Sequence, residues 1–174
     1  LVAASVDGNV RTYDLRRGLL HTASLGTPVT SLALSRDGAC LAASCLDSSV
    51  RLLELNGGTQ LNLYTGHKHD SFKLDACLSH DDAHLASGAS LPLRSVITLS
   101  AASEDGRVVI WRLVEADVAA ELKGVHTCVV VSSRMTLFFA RRAVASVAWH
   151  PSQASVLAAS FDGTISLWEP PTPR

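Results

Sequence analysis

The residues best suited to chemistry lie in two short runs, HKHD at 67–70 and HDDAH at 80–84, with a further carboxylate at Asp75. Two imidazoles four apart, as His80 and His84 are, face one metal only when a helix carries them. Here SHDDAHLAS (79–87) aligns with SRDGACLAAS (35–44), which places Asp81 and Asp82 where Asp37 and Gly38 stand, in a turn between strands. The run reads as a solvated turn, and no metal or other cofactor is expected. Asp75, Asp81 and Asp82 lack a second group at a spacing that would make a general acid–base pair. No GxSxG, P-loop, GxGxxG or HExxH occurs, so neither an enzyme nor a small-molecule substrate is expected. Arg16-Arg17 and Arg141-Arg142 are isolated pairs that read as solvated rather than as phosphate contacts. Trp149 and Trp168 sit in apolar alternations and read as core.

What remains is a set of four aspartates, and they mark a repeat. LVAASVDGNVRTYDL (1–15), LAASCLDSSVRLLEL (41–55), SAASEDGRVVIWRL (100–113) and VLAASFDGTISLWE (156–169) each run from small apolar residues through an aspartate into a strand-like alternation. The aspartates are Asp7, Asp47, Asp105 and Asp162, spaced 40, 58 and 57 residues apart. Asp-Gly at 7–8, 105–106 and 162–163 predicts tight two-residue hairpin turns, with Asp47-Ser48 a weaker version because serine resists positive φ.

The elements that must position these turns are strands. VTSLALS (29–35), FKLDACLS (72–79) and AVASVAWH (143–150) precede three of the repeats; LLHTAS (19–24), QLNLY (60–64) and DVAAEL (117–122) follow three of them. Together they predict fourteen strands in antiparallel units of three, four, four and three, with no helix.

Composition narrows the function classes. Fifteen Lys and Arg against sixteen Asp and Glu leave a net charge of −1, which excludes a broadly basic nucleic-acid binder and an acidic tail protein. At 47% hydrophobic and 18% charged, the 174 residues belong to a folded chain, not a disordered one. No apolar run is long enough to cross a membrane as a helix; the nearest, 128–140, is broken by Ser132, Ser133 and Arg134. The opening LVAAS shows no basic segment or cleavage site, so no secretory leader is expected. Cys40, Cys45, Cys77 and Cys128, none in a CxxC pair, read as reduced core thiols of an intracellular protein.

Asp-Gly followed by a strand ending in Trp111 or Trp168, with Gly66-His67 ahead of one unit, resembles the WD40 repeat family. The resemblance implies an all-β propeller of four-stranded antiparallel blades. It also implies a buried relay in which His67, Asp105 and Trp111, with Ser87 or Ser103 as hydroxyl, tie turn to strand. Elsewhere the relay has lost members: Tyr13 and Leu53 replace the tryptophan, Ala3, Ala43 and Ala158 replace the hydroxyl, and Thr27 follows Gly26. SVDGNVRTYDLRRG (5–18), GHKHDSFKLDACLS (66–79) and SEDGRVVIWRLVEA (103–116) narrow the resemblance to the mitogen-activated protein kinase organizer family of seven-bladed scaffolds. That likeness implies a non-enzymatic, cytoplasmic and nuclear protein that holds kinases of the extracellular-signal-regulated cascade together. It equally implies association with the spliceosome, and in neither role direct nucleic-acid or membrane contact. A propeller hydrolase with acidic residues at its channel is the reading from another class, and the sequence offers it no carboxylate cluster.

Residues 1–169 thus read as a partial WD40 propeller of about 3.5 of seven blades, an open arc, with 170–174 as a tail. Two segments, about 90–102 and 127–142, interrupt the likeness and read as inserts of translated intron or splice-variant sequence. HLASGA (84–89) and VITLSAA (96–102) compete for the strand before Asp105, and only one can take it. A chain ending mid-blade on both sides is expected to expose apolar faces and to self-associate or bind chaperones.

Overall fold

The computed structural model describes residues 1–79, 98–122, 143–152 and 155–168, and every described element is a strand. The first sheet holds β1 (Val2–Ala4), β2 (Asn9–Asp14) and β3 (Gly18–Ser24); the second β4 (Val29–Leu34), β5 (Cys40–Cys45), β6 (Ser49–Glu54) and β7 (Gln60–Thr65). The third comprises β8 (Ala76–Leu78), β9 (Thr98–Ala102), β10 (Val108–Arg112) and β11 (Val118–Leu122). The fourth comprises β12 (Val144–Trp149), β13 (Val156–Ser160) and β14 (Ile165–Trp168). Each sheet is an antiparallel meander, as short alternating segments joined by tight turns require. Among the described residues the expected grouping of three, four, four and three strands is the observed one.

The sheets stack through their apolar faces in chain order. Val10 of the first packs with Val29, Leu41, Ala43 and Leu53 of the second. The opposite face of the second, with Ala42, Val50, Leu52 and Tyr64, meets Leu99, Ala101, Val109 and Trp111 of the third. The third in turn buries Val108 and Ile110 against Val144, Val147, Val156 and Ala158 of the fourth. Odd and even positions of one strand thus serve two different cores, which is why these strands read as nearly continuous apolar runs. The outer face of the fourth sheet leaves Leu157, Ile165 and Leu167 exposed. The result is an open arc of propeller blades.

Two expectations need correction. The segment expected as an insert at 90–102 supplies a strand with its last five residues: β9 pairs Ala101 with Val109 and Leu99 with Trp111, and Cys77 with Ser100 on the other side. SAA directly abuts the turn, and a hairpin takes the strand contiguous with its loop. The competing HLASGA, and the second expected insert at 127–142, lie outside the described residues, as does the 170–174 tail.

The turns are also one residue longer than expected. Gly8 N–H donates to the Ser5 carbonyl, while Ser5 N–H donates to Asn9, enclosing Val6, Asp7 and Gly8. Ser103 with Gly106 and Ser160 with Gly163 repeat that pattern. This is a type I turn closed by a left-handed residue, with φ of 80° at Gly8 and 60° at Ser48. Glycine at position 8 also lets the turn approach the next sheet, since a Cβ there would lie 3.0 Å from Thr27 N.

Candidate functional site

All four repeat aspartates stand in turns on the same side of the arc, and each first serves its own turn. Their Oδ1 atoms accept from the backbone N–H two residues on: Asn9 at 2.9 Å, Ser49 at 3.1 Å, Arg107 at 3.3 Å and Thr164 at 2.9 Å. Such bonds are the reason Asp suits these positions. Three of them then take an arginine from just beyond the turn, in the following strand for Arg11 and Arg51 and directly before it for Arg107: Asp7–Arg11 at 2.6 Å, Asp47–Arg51 at 2.7 Å and Asp105–Arg107 at 2.6 Å. Arg51 Nη1 also donates to the Leu25 carbonyl at 2.7 Å, and Arg107 Nη2 to the Gly66 carbonyl at 3.4 Å. Both carbonyls belong to the residue that follows the last strand of the preceding sheet, so each arginine ties its turn to the loop between two sheets. Hydrogen bonding by Arg11 holds the Asp7 carboxyl far below the ordinary range. Burial alone would raise Asp47 and Asp105, but bonds from Ser49 and Arg51, and from Arg107 and Ser103, outweigh it and lower both.

Among the described residues the relay expected around His67 does not form. Asp105 is bonded by Ser103 Oγ at 2.7 Å and by Arg107, and Trp111 Nε1 donates to the Thr65 carbonyl at 2.9 Å. His67 is 5% exposed with its ring edge-on to Trp111 at 5.4 Å, and neither ring nitrogen has a hydrogen-bond partner among the described residues. The cause lies in β9: on the face shared with Trp111 it offers Leu99 and Ala101, which carry no hydroxyl. Ser103 survives as the turn's hydroxyl; Ser87 lies outside the described residues. Burial, and then the neighbouring His69, push the His67 pKa down to about 4, so the ring is neutral. Of the two relay tryptophans, Trp111 is fully buried and Trp168 packs against the core between the third and fourth sheets.

The loop from Gly66 to Lys73, which contains the HKHD run, is held by a dense set of hydrogen bonds. Lys68 N–H donates to Ser103 Oγ at 2.9 Å, and the Lys68 carbonyl accepts from Glu104 N–H at 2.9 Å. His69 N–H donates to Ser48 Oγ at 2.9 Å, and its carbonyl accepts from Ser48 N–H at 3.1 Å. One oxygen of Glu104 accepts from the N–H groups of Asp70, Ser71 and Phe72, at 2.9, 2.5 and 3.0 Å. His69, 1% exposed, closes the loop with Nε2–H donating to the Phe72 carbonyl at 2.9 Å. Burial would raise Glu104, but the three backbone bonds outweigh it and hold it low. Glu104 carries no sequence signal of this role; Arg51 and Arg107 do, since each follows a turn aspartate at short spacing.

Little else here is built for chemistry. Among the described residues no three His, Cys, Asp or Glu side chains converge as metal ligands. His80 and His84 lie outside the described residues. Burial raises the Cys45 thiol and pushes Cys77 up to about 12, so neither is a thiolate near neutrality. On the inner strands an open depression of about 350 Å³ is lined by Leu34, Arg36, Cys77, Trp149 and Pro151 among others, with no carboxylate in its described wall.

Comparison with known proteins agrees with this architecture. The family model described as "WD domain, G-beta repeat" matches residues 19–53 and 132–169. The chain is 38% identical over 172 residues to WD repeat domain-containing protein 83 of Rattus norvegicus, covering 99% of this chain and 45% of the relative. It is 39% identical to the Xenopus tropicalis protein over 97% of this chain and 44% of the relative. The Dictyostelium discoideum homolog is 30% identical, with 97% and 43% covered. Two solved structures, "Structure of U3-55K" and "Crystal structure of RRP9 WD40 repeats", superpose with TM-scores of 0.71 and 0.70, each at 20% identity. Both cover 98% of this chain, and 45% and 44% of their own. The chain spans less than half the length of the curated relatives it matches.

Proposed function

We propose that this chain, which carries WD40 repeats and folds as an arc of a WD40 propeller, is a non-enzymatic scaffold that binds and positions other proteins. The observation that carries this reading is the use made of the turn-face acids. Asp7, Asp47, Asp105 and Glu104 are each committed to backbone or arginine bonds that order a turn or loop. Acids spent in this way rigidify a surface and are not poised to move protons. Loops fixed on stacked sheets present contacts at low ordering cost, which suits recognition.

The finer reading is that the partners are components of a mitogen-activated protein kinase cascade. Its support is the likeness of 5–18, 66–79 and 103–116 to the organizer family, in keeping with relatives named WD repeat domain-containing protein 83. The same likeness offers the splicing machinery as the competing partner set. Either role places the protein in cytoplasm and nucleus and asks for no direct nucleic-acid or membrane contact. Affinity capture of the cross-linked chain from cells, with identification of the bound proteins, tests both. Kinases of the extracellular-signal-regulated cascade are the expected result. A spliceosomal set in their place would transfer the reading, and the absence of any specific partner would overturn the scaffold itself.

A further inference from the structure

Phe72 and Phe161 form a half-exposed aromatic pair where two neighbouring sheets meet. Each is 51% exposed, and their ring centroids lie 5.5 Å apart at 45°. Phe72 ends the Glu104-bonded loop; Phe161 sits in the turn between β13 and β14, so two neighbouring blades supply one patch. Leaving two aromatic rings half in water is unfavourable, whereas rings on a rigid support make strong interface anchors. The support here is rigid by construction, since three N–H groups converge on Glu104 and the Phe72 carbonyl is held by buried His69.

The charges beside the rings indicate what the patch receives. Glu104 is occupied by backbone donors, and Asp70 already faces Lys68 at 3.8 Å. Lys73, next to Phe72 in the chain and exposed, carries no ion pair among the described residues. We propose that Phe72, Phe161 and Lys73 form a docking site for an extended segment of a partner protein. That segment carries a large aliphatic or aromatic anchor flanked by carboxylates. The anchor covers the two rings and a carboxylate meets Lys73, giving this surface cation a partly desolvated partner. The site rests on the scaffold reading above and assigns it a surface.

Three synthetic peptides test it by fluorescence anisotropy on the full chain: Leu-Phe flanked by aspartates, Leu-Phe flanked by lysines, and Ala-Ala flanked by aspartates. The first should bind about tenfold or more tightly than the others. Phe72→Ala should weaken it by about tenfold at an unchanged melting temperature. Lys73→Glu should invert the preference between aspartate and lysine flanks, a result no general loss of fold produces. Absence of peptide binding, indifference to Phe72→Ala, or an unchanged charge preference in Lys73→Glu would each overturn the proposal. So would self-association that depends on Phe72 without peptide binding, because a second copy would then cover the rings. If Phe72→Ala still captures the partners of the parent chain, this site fails and the scaffold stands; capture of nothing by either removes the scaffold.

Discussion

Replacing His67 with leucine should stabilise the chain near neutral pH and remove part of its sensitivity to acid. The imidazole is 5% exposed and unpartnered at both nitrogens among the described residues. A buried polar group without a hydrogen bond costs about 1–3 kcal/mol, and the edge-on contact with Trp111 returns about 0.5–1.5 kcal/mol. Leucine is of similar size and carries nothing to satisfy, so a gain of about 1 kcal/mol is expected near neutrality. The acid effect follows from linkage. An unfolded histidine titrates near 6.5, and this one is pushed down to about 4 in the folded chain. Between those values the unfolded chain binds the additional proton, so stability is full above the upper value and falls as pH drops toward the lower one. At about pH 5 the loss from this group is about 2 kcal/mol, and His67→Leu should not show it. His69, lowered in the same direction by burial, remains in both proteins and cancels from the comparison. Urea unfolding followed by tryptophan fluorescence at about pH 7.5 and about pH 5 measures both quantities. A loss of several kcal/mol at neutral pH, with acid sensitivity unchanged, would show that His67 is hydrogen-bonded after all and would refute the orphaned-ring account.

Arg51→Ala should cost about 2 kcal/mol in the same unfolding assay, because Asp47 Oδ2 and the Leu25 carbonyl each lose the arginine as donor. Arg11→Ala should give no resolvable loss, since its pair with Asp7 is largely solvent-facing and, among the described residues, reaches no neighbouring loop. Glu104→Gln should speed amide exchange at Asp70, Ser71 and Phe72 with little change elsewhere, read by hydrogen-exchange mass spectrometry. The lowered carboxyl of Glu104 means that this protection persists through mild acid and disappears only as pH falls through its depressed value. Ser48→Ala keeps the positive φ and orphans His69 N–H, for an expected loss of about 1–3 kcal/mol by thermal unfolding.

Much of the fold was legible because two signals repeat and agree. The aspartates at 7, 47, 105 and 162 mark hairpin loops, and the flanking alternations mark strands, so the grouping of strands followed directly. Loop length was misjudged because Asp-Gly closes both two- and three-residue loops, and only the backbone shows Asp7 in the middle of one. Among the described residues the relay stays incomplete for a reason of register. His67, Asp105 and Trp111 are all present, yet the strand opposite Trp111 brings Ala101 rather than a hydroxyl, and which strand fills that slot was undecided between two segments. The Asp–Arg ties of the second and third blades were readable as a spacing but were not read. Glu104 and the Phe72–Phe161 pair were not readable, because they depend on loops distant in sequence meeting across blades.

The central claim is that the ordered turn face is where other proteins bind. Hydrogen-exchange mass spectrometry of the chain alone and in complex with a captured, identified partner tests it most directly. Binding should add protection at 66–73, 103–107 and 160–164, where the loops and turns meet, and leave the strand interiors unchanged. Protection confined to the exposed outer face of β13 and β14, or to the inner strands around Trp149, would contradict the account.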